Sequence, residues 1–425
     1  MTTLRYVNDL GDGHSGYINY GSINVSTASG TFINTKQGGD AGGDAFGRLR
    51  TSSPLTIFDS QQRYTQDGTW TTASGGSATT SYQSNESAIN FTVTTASGDY
   101  IYQESKKVFP YQPGKSLLVT LSFAFAPGQT NLRQRIGYFG TQNGIYLEQE
   151  GSTLYFVLRS YVTGSVINTR VPQSQWNGDA LNGLGTTGKT LDPSKGNIFW
   201  CDLEWLGVGD VRVGFVIDGQ LIICHTFKNT NKNGTTYMTT AALPIRQEIE
   251  NTNTIGSGTT AKQICASVVS EGGYNVAGET YSVDLGGTAK NLATAGTSYP
   301  VISLRLNSSR LDSVVVPKGV RGIITSNSNV KWSIVKNATL SGASYSTHSN
   351  GNVDYDTTAS GMTGGTQITS GYLEKQGQIT IAGLADFTYQ LGRTIGGTSD
   401  VLTLAATPTT NNTDVLFSFE WAEVL

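Results

Sequence analysis

Residues 211–227 read VRVGFVIDGQLIICHTF, two apolar runs on either side of Asp218-Gly219. A two-residue hairpin turn of type I′ needs positive φ at both central positions, and Asp followed by Gly tolerates this while keeping the strand twist. This stretch therefore commits the chain to antiparallel sheet. The same period of two recurs elsewhere. In SLLVTLSFAF (116–125) Leu121, Phe123 and Phe125 share one face and Thr120, Ser122 and Ala124 the other, and INFTVTT (89–95) alternates likewise. GIYLEQEGSTLYFVLRSY (144–161) reads as two strands around Glu150-Gly151. Further strands are expected at 264–270, 301–306, 313–316, 321–325, 331–336, 378–382, 400–405 and 415–421. The one helix-like pattern is a weak one over ALPIRQEIEN (242–251). The fold class is all-β. A charged fraction of only 14%, with 52 Gly, 20 Tyr and 15 Phe, agrees: aromatic side chains suit a pleated surface and glycines supply turns.

A chain of 425 residues exceeds one ordinary domain of roughly 150. Residues 1–43 carry GDGHSGYINYGS and KQGGDAGGDAF with few aliphatic side chains, the composition of an extended Gly-rich arm that a neighbour would have to order. From about Leu55 the alternating pattern begins. Near residue 280, EGGYNVAGETYS gives way to a new series of short strands. The expected organisation is an arm (1–43), a first β-sandwich with its Arg-containing lead-in (44–280) and a second β-sandwich (281–425), both jelly-roll-like.

Net charge is -3 and the sequence pI about 5.7, so the chain carries no electrostatic footprint for nucleic acid or an anionic membrane. No apolar stretch approaches the roughly 20 residues that span a bilayer. Met1 is followed by TTLRYVNDLGDG, which lacks the charged and apolar regions of a signal peptide. Cys201, Cys224 and Cys265 are odd in number and without a CxxC, which points to small buried hydrophobes made in a reducing cytoplasm. No pattern calls for a cofactor. GDGHSG (11–16) and GNVDYD (351–356) miss the calcium-loop spacing and its closing glutamate, so no metal is expected.

The lead-in DAFGRLRTSSPLTIFDSQQRY, Asp44 to Tyr64, has nearly balanced charge. A phosphate loop would need several glycines opening a helix, whereas Gly47 is followed by Arg-Leu-Arg-Thr and Pro54. Arg48, Arg50 and Arg63, with Asp44, Asp59, Phe46, Phe58 and Tyr64, suit a clamp in which planar guanidinium forks meet carboxylates and carbonyls at a domain or subunit junction. The segment resembles one that recurs in uncharacterised virion structural proteins of tailed bacteriophages, particularly marine and cyanobacterial ones, and in some large DNA viruses. The resemblance continues through YQPGKSL, QRIGYFGTQNGIYLEQEGSTLYFVLRS, QSQWNGDALNGLGTTGKTLDPSK, FWCDLEWLGVGDVRVGFVIDGQLIICHTF, ALPIRQEIENT, QICASVVSEGG and SFEWAEV. It covers most of residues 44–425 and leaves the arm outside. It implies a role in virion structure, and no catalytic or ligand residues come with it. The middle part is also similar to concanavalin A-like or laminin G-like sandwiches, an architectural likeness only.

Two constellations bear chemistry. In Cys201-Asp202-Leu203-Glu204-Trp205 a strand would put Asp202 and Glu204 on one face roughly 7 Å apart, in the range of paired carboxylates for glycoside hydrolysis. Laminarinase-like sandwich hydrolases carry two glutamates flanking an aspartate on such a strand. Here Trp200 and Leu206 stand where further acids would be, so the pair is read as a solvated face or an ion pair with a neighbouring Arg. In QSQWNGDALNGLG (173–185), Trp176 stands among Asn177, Asp179 and Asn182. These are the ingredients of a glycan-contact loop, in which an aromatic face stacks on a pyranose and amides bond its hydroxyls, or of an ordered loop whose Trp packs on its own sandwich. His14, His225 and His348 are far apart, and His225 beside Cys224 faces the opposite side of its strand.

The expectation drawn from all this is a non-enzymatic structural protein exposed on a phage particle, as a tail, fibre or capsid decoration component. It would be made in the host cytoplasm and assemble through its arm with other virion proteins, as a homo-oligomer, by virion symmetry a trimer. Contact with host surface glycans fits that place. The competing class is a carbohydrate-active enzyme or free lectin using Asp202 and Glu204.

Overall fold

The computed structural model describes residues 53–275, 278–375 and 389–424, together with the backbone of the strands Ile23–Ser26, Phe32–Thr35 and Gln378–Ala382. Ile23–Ser26 and Phe32–Thr35 pair antiparallel as a two-stranded sheet. Residues 54–425 form one compact unit and residues 1–53 another.

The fold is all-β. In the first sandwich a front sheet runs in the order Ile167–Pro172, Thr153–Ser160, Gly144–Glu150, Leu132–Phe139, Ile245–Asn251, Tyr100–Ser105, Trp70–Gly75. A back sheet runs Gln220–Phe227, Val211–Ile217, Asn197–Leu203, Leu117–Ala124, Thr259–Ser270, Ala88–Val93, Thr79–Gln83, with Leu55–Gln61 also paired to the long Thr259–Ser270 strand. All pairings among these strands are antiparallel. The Asp218-Gly219 turn has φ of 52° and 74°, as its type requires. Alternation along Leu117–Ala124 buries Leu117, Val119, Leu121 and Phe123 and leaves the intervening side chains half-buried. Those four pack between the sheets with Ile136, Leu147, Phe156, Phe199 and Phe215.

ALPIRQEIEN is strand, not helix. Ala242–Leu243 and Ile245–Asn251 are extended, the second lying in the middle of the front sheet. Its spacing mimics a helix because charged residues alternate with apolar and amide ones on a strand buried on both faces.

The first sandwich ends with Ser270 and the second opens at Glu279. The second has a sheet of Glu279–Asp284, Thr413–Val424, Val314–Ile324 and Gln378–Ala382, with Lys290–Leu292 also on Thr413–Val424. A six-stranded partner sheet is centred on Tyr299–Leu306 and Val401–Pro408. The expected strands 313–316 and 321–325 are one strand, Val314–Ile324, whose register shifts between Pro317 and Gly319: Pro317 has no N–H for the ladder, so the strand bulges and continues. Trp332, Ile334, Leu404, Phe417, Phe419 and Trp421 fill this core.

Candidate functional site

The lead-in divides at the edge of the described residues. Asp44, Phe46, Arg48 and Arg50 lie outside them. Within the Leu55–Gln61 strand, Phe58 points inward and packs on Trp70 and Phe109, with ring centroids 6.1 and 4.9 Å away. Asp59 on the next position is exposed. Arg63 and Tyr64 are both exposed and lie against each other. The Arg63 guanidinium lies over the Tyr64 ring at 5.2 Å, and Tyr64 is 83% exposed. The carboxylate that organises this corner is Asp67: it takes the Thr69 N–H at 2.8 Å and a hydrogen bond from Ser60, whose hydroxyl accepts the Trp70 indole N–H at 2.8 Å.

The 173–185 loop is an edge cap. Trp176 is 6% exposed; its ring stacks on Phe156 with centroids 4.1 Å apart and its N–H donates to Val171 O at 3.1 Å. Its face is therefore not available to a sugar ring. The loop lies along the Gln220–Phe227 edge strand. Gly178 and Asp179 donate backbone N–H groups to Cys224 O and Ile223 O, and the Asn177 amide both donates to Thr226 O (2.9 Å) and accepts from Thr226 N (2.8 Å). Free strand edges invite pairing with other chains, and this loop blocks one. Asp179, 4% exposed, accepts from Leu181 N (2.8 Å), Thr187 N (2.7 Å) and the Thr186 hydroxyl (3.3 Å). Burial pushes its carboxyl up, but those hydrogen bonds outweigh it and leave it below the ordinary range. Asn182 accepts from Leu184 N. His225, with Nδ1 accepting from Asn177 N and its ring edge-on to Phe227, is a packed strand histidine that burial holds below the usual pKa.

The acid pair on the back sheet does not form. The Asn197–Leu203 strand ends before Glu204, which is exposed in the following turn, so the two carboxylates do not share a strand face. Asp202 is 6% exposed and gripped by both sides of the Arg212 fork, Nε at 2.9 Å and Nη2 on the other oxygen. Burial still pushes its carboxyl up, with the Arg212 hydrogen bonds pulling the other way. Cys201 and Cys224 are buried thiols whose pKa burial raises, that of Cys224 to about 12. Among the described residues no cluster of His, Cys, Asp and Glu is set to hold a metal.

The densest constellation is one the sequence reading passed over. On the outward face of the front sheet, register sets Arg135 between Glu148 and Glu248, and Arg246 beside Glu104. Arg135 donates to Glu148 (2.9 Å), Glu248 (2.7 Å) and Glu250 (3.2 Å); Arg246 donates to Glu248 (2.5 Å) and Glu104 (2.6 Å). Arg170 closes one end on Glu148 at 2.6 Å, and Arg393 of the second sandwich closes the other on Glu104. The result is a row of alternating charges, Arg170, Glu148, Arg135, Glu248, Arg246, Glu104, Arg393. Aromatic rings flank it. Arg246 lies 5.2 Å from the Tyr102 ring and 5.8 Å from Phe139, and Arg170 lies 4.0 Å from Tyr155. Arg135, Glu148, Glu248, Arg246 and Glu104 are all under 9% exposed. Burial works against the Arg135 cation, but Glu248, Glu250 and Glu148 outweigh it and keep it protonated. The signal was present in RQR (133–135), YLEQE (146–150) and IRQEIE (245–250): charges at every second position on strands adjacent in space. Only the strand order shows that opposite signs meet.

No family model and no curated protein matches the sequence. Among solved structures the chain is similar to the Emp47p carbohydrate recognition domain (12% identity, 54% of this chain and 99% of that one, TM-score 0.32) and to a Bacillus licheniformis β-glucanase (13%, 52% and 98%, 0.32). It is also similar to a protein of unknown function, SO2946, from Shewanella oneidensis MR-1 (12%, 53% and 90%, 0.34). Likeness at this level transfers no activity.

Proposed function

We propose that this chain is a non-enzymatic structural protein of the surface of a tailed-phage particle, working through its surfaces rather than through a catalytic cleft. The observation that supports this best is the pairing of the front-sheet acids and of Asp202 with guanidinium groups. Glycoside hydrolysis needs two carboxyl groups free to donate a proton and to attack or activate water. On the front sheet Glu104, Glu148, Glu248 and Glu250 are each engaged by guanidinium groups, and Asp202 on the back sheet is held by Arg212. Such pairing suits a rigid assembly block. The particle is inferred from the resemblance of most of residues 44–425 to virion structural proteins, with the arm joining the chain to other virion proteins and a trimer as the assembly that virion symmetry favours.

Quantitative mass spectrometry of purified particles, taking this chain's copy number relative to the major shell protein, tests the reading. Near-stoichiometric copies are expected for shell decoration and few copies for a tail or single vertex. Absence from the particle overturns it.

A further inference from the structure

At one end of the first sandwich the connection after Ala124, the turn at Gly151-Ser152 and residues 191–194 enclose a groove of ≈ 350 Å³. Pro127 and Leu154 give it apolar wall, and Gln149, Ser152, Gln173 and Asp192 give it polar groups. The wall is tied in place by Phe125 N to Pro193 O (2.8 Å) and Gly151 N to Leu132 O (2.9 Å).

The amide of Gln149 sets the chemistry. Gln134 beside it is pinned on both sides by Ala126, accepting its N–H at 2.7 Å and donating to its C=O at 2.8 Å. The remaining Gln134 hydrogen points at Gln149 Oε1, 2.9 Å away. Gln149 must therefore offer its oxygen there and keep Nε2 for the groove. That side chain is 5% exposed and lines the groove. It is placed to donate to a ligand oxygen there. Gln173 shows the reverse arrangement: Nε2 donates to Ala180 O at 2.8 Å, leaving Oε1 as an acceptor. Asp192 accepts from Ser194 N and Oγ with Oδ1 and leaves Oδ2 open. Those hydrogen bonds hold its carboxyl below the ordinary range, so the groove carries one negative charge and no positive one.

We propose that this groove is a binding subsite for one neutral saccharide unit. Donor and acceptor groups alternating over a small apolar wall match a ring of hydroxyls and C–H faces, the volume lies at the low end for ligand pockets, and the lone carboxylate disfavours acidic sugars. The second sandwich has a wider groove of ≈ 550 Å³, but its charged side chains are already engaged, Arg321 with Glu420 outside the lining and Asp284 with Gly286 N. The biological use of the subsite rests on the particle-surface reading; the binding itself does not.

The test is calorimetry and saturation-transfer NMR on the full chain, with methyl glycosides of glucose, galactose, mannose and N-acetylglucosamine and with glucuronate as the acidic control. At least one neutral glycoside should bind in the millimolar range, with glucuronate about tenfold weaker or more. Ser152→Leu, at an exposed position, should fill the groove and weaken binding about tenfold without changing Tm, and Gln149→Met should do the same to binding. Absence of binding by every neutral glycoside, or binding that Ser152→Leu leaves unchanged, overturns the subsite. Particle mass spectrometry separates the two failures: a chain abundant in particles that binds no sugar loses the subsite alone, and a sugar binder absent from particles loses the virion role alone.

Discussion

At the scale of single residues, the buried charges of the front sheet govern what substitutions cost. Arg135 is enclosed by three carboxylates and Glu248 is shared by two guanidinium groups. Removing one member leaves its partners charged, buried and unpaired. Glu248→Gln should destabilise the chain by about 3–5 kcal/mol in urea unfolding, the range for breaking a buried pair. Arg135→Met combined with Glu248→Met should cost less than the sum of the two single changes, because the second removes a charge the first had orphaned. Equal additive losses would mean that the row is not coupled. The residue types in this row were legible from the sequence, as was their alternation, but not their partners. Glu148 and Glu248 are 100 positions apart, and only the neighbouring places of their strands bring them to one arginine.

At the scale of elements, edges decide the behaviour of a sandwich. The Gln220–Phe227 strand ends the back sheet, and the Asn177–Asp179 segment occupies its outer hydrogen-bonding side. Asp179 holds that segment in shape. Asp179→Asn removes the carboxylate that accepts two backbone N–H groups and should lower stability by about 2 kcal/mol at neutral pH. The native carboxyl lies below the ordinary value of 3.8, so its contribution is present above that pH and is lost as pH falls through the native pKa. Thermal unfolding of the two proteins against pH should show the gap closing only in strong acid. A gap constant down to pH 2 would remove the carboxylate from this role. The sequence showed the residues of this loop and its Asn-Gly turns, and it left two readings of Trp176 open. Packing of that ring on Phe156 selects the bland one.

At the scale of the whole molecule, the two sandwiches are joined by more than the connection after Ser270. Val108 packs with Val314 and Val316, flanked by Ile57, Ala242, Tyr274 and Val424. Beside them residues 390–395 run along the first sandwich, with Gln390 Nε2 to Val108 O (2.9 Å), Arg393 N to Lys106 O (2.8 Å), Ile395 N to the Thr71 hydroxyl (3.3 Å) and Arg393 on Glu104. Arg393→Ala should loosen this joint by about 1–3 kcal/mol and split a single calorimetric transition into two. One unchanged transition would place the coupling in the valines and the backbone hydrogen bonds rather than in the Arg393–Glu104 pair.

Alternation, the Asp-Gly hairpin and the scarcity of charge determined an all-β chain of sandwiches, because period and turn chemistry are local properties of consecutive residues. What only the tertiary structure decided is the fate of each polar group. Asp202 meets Arg212 across a neighbouring strand, Trp176 turns inward, Arg63 lies over Tyr64, and the front-sheet acids meet arginines from distant strands. Whether a carboxylate is free to react or bound in a pair depends on which strands become neighbours, and that order follows from burying both sheets at once rather than from any stretch of the chain.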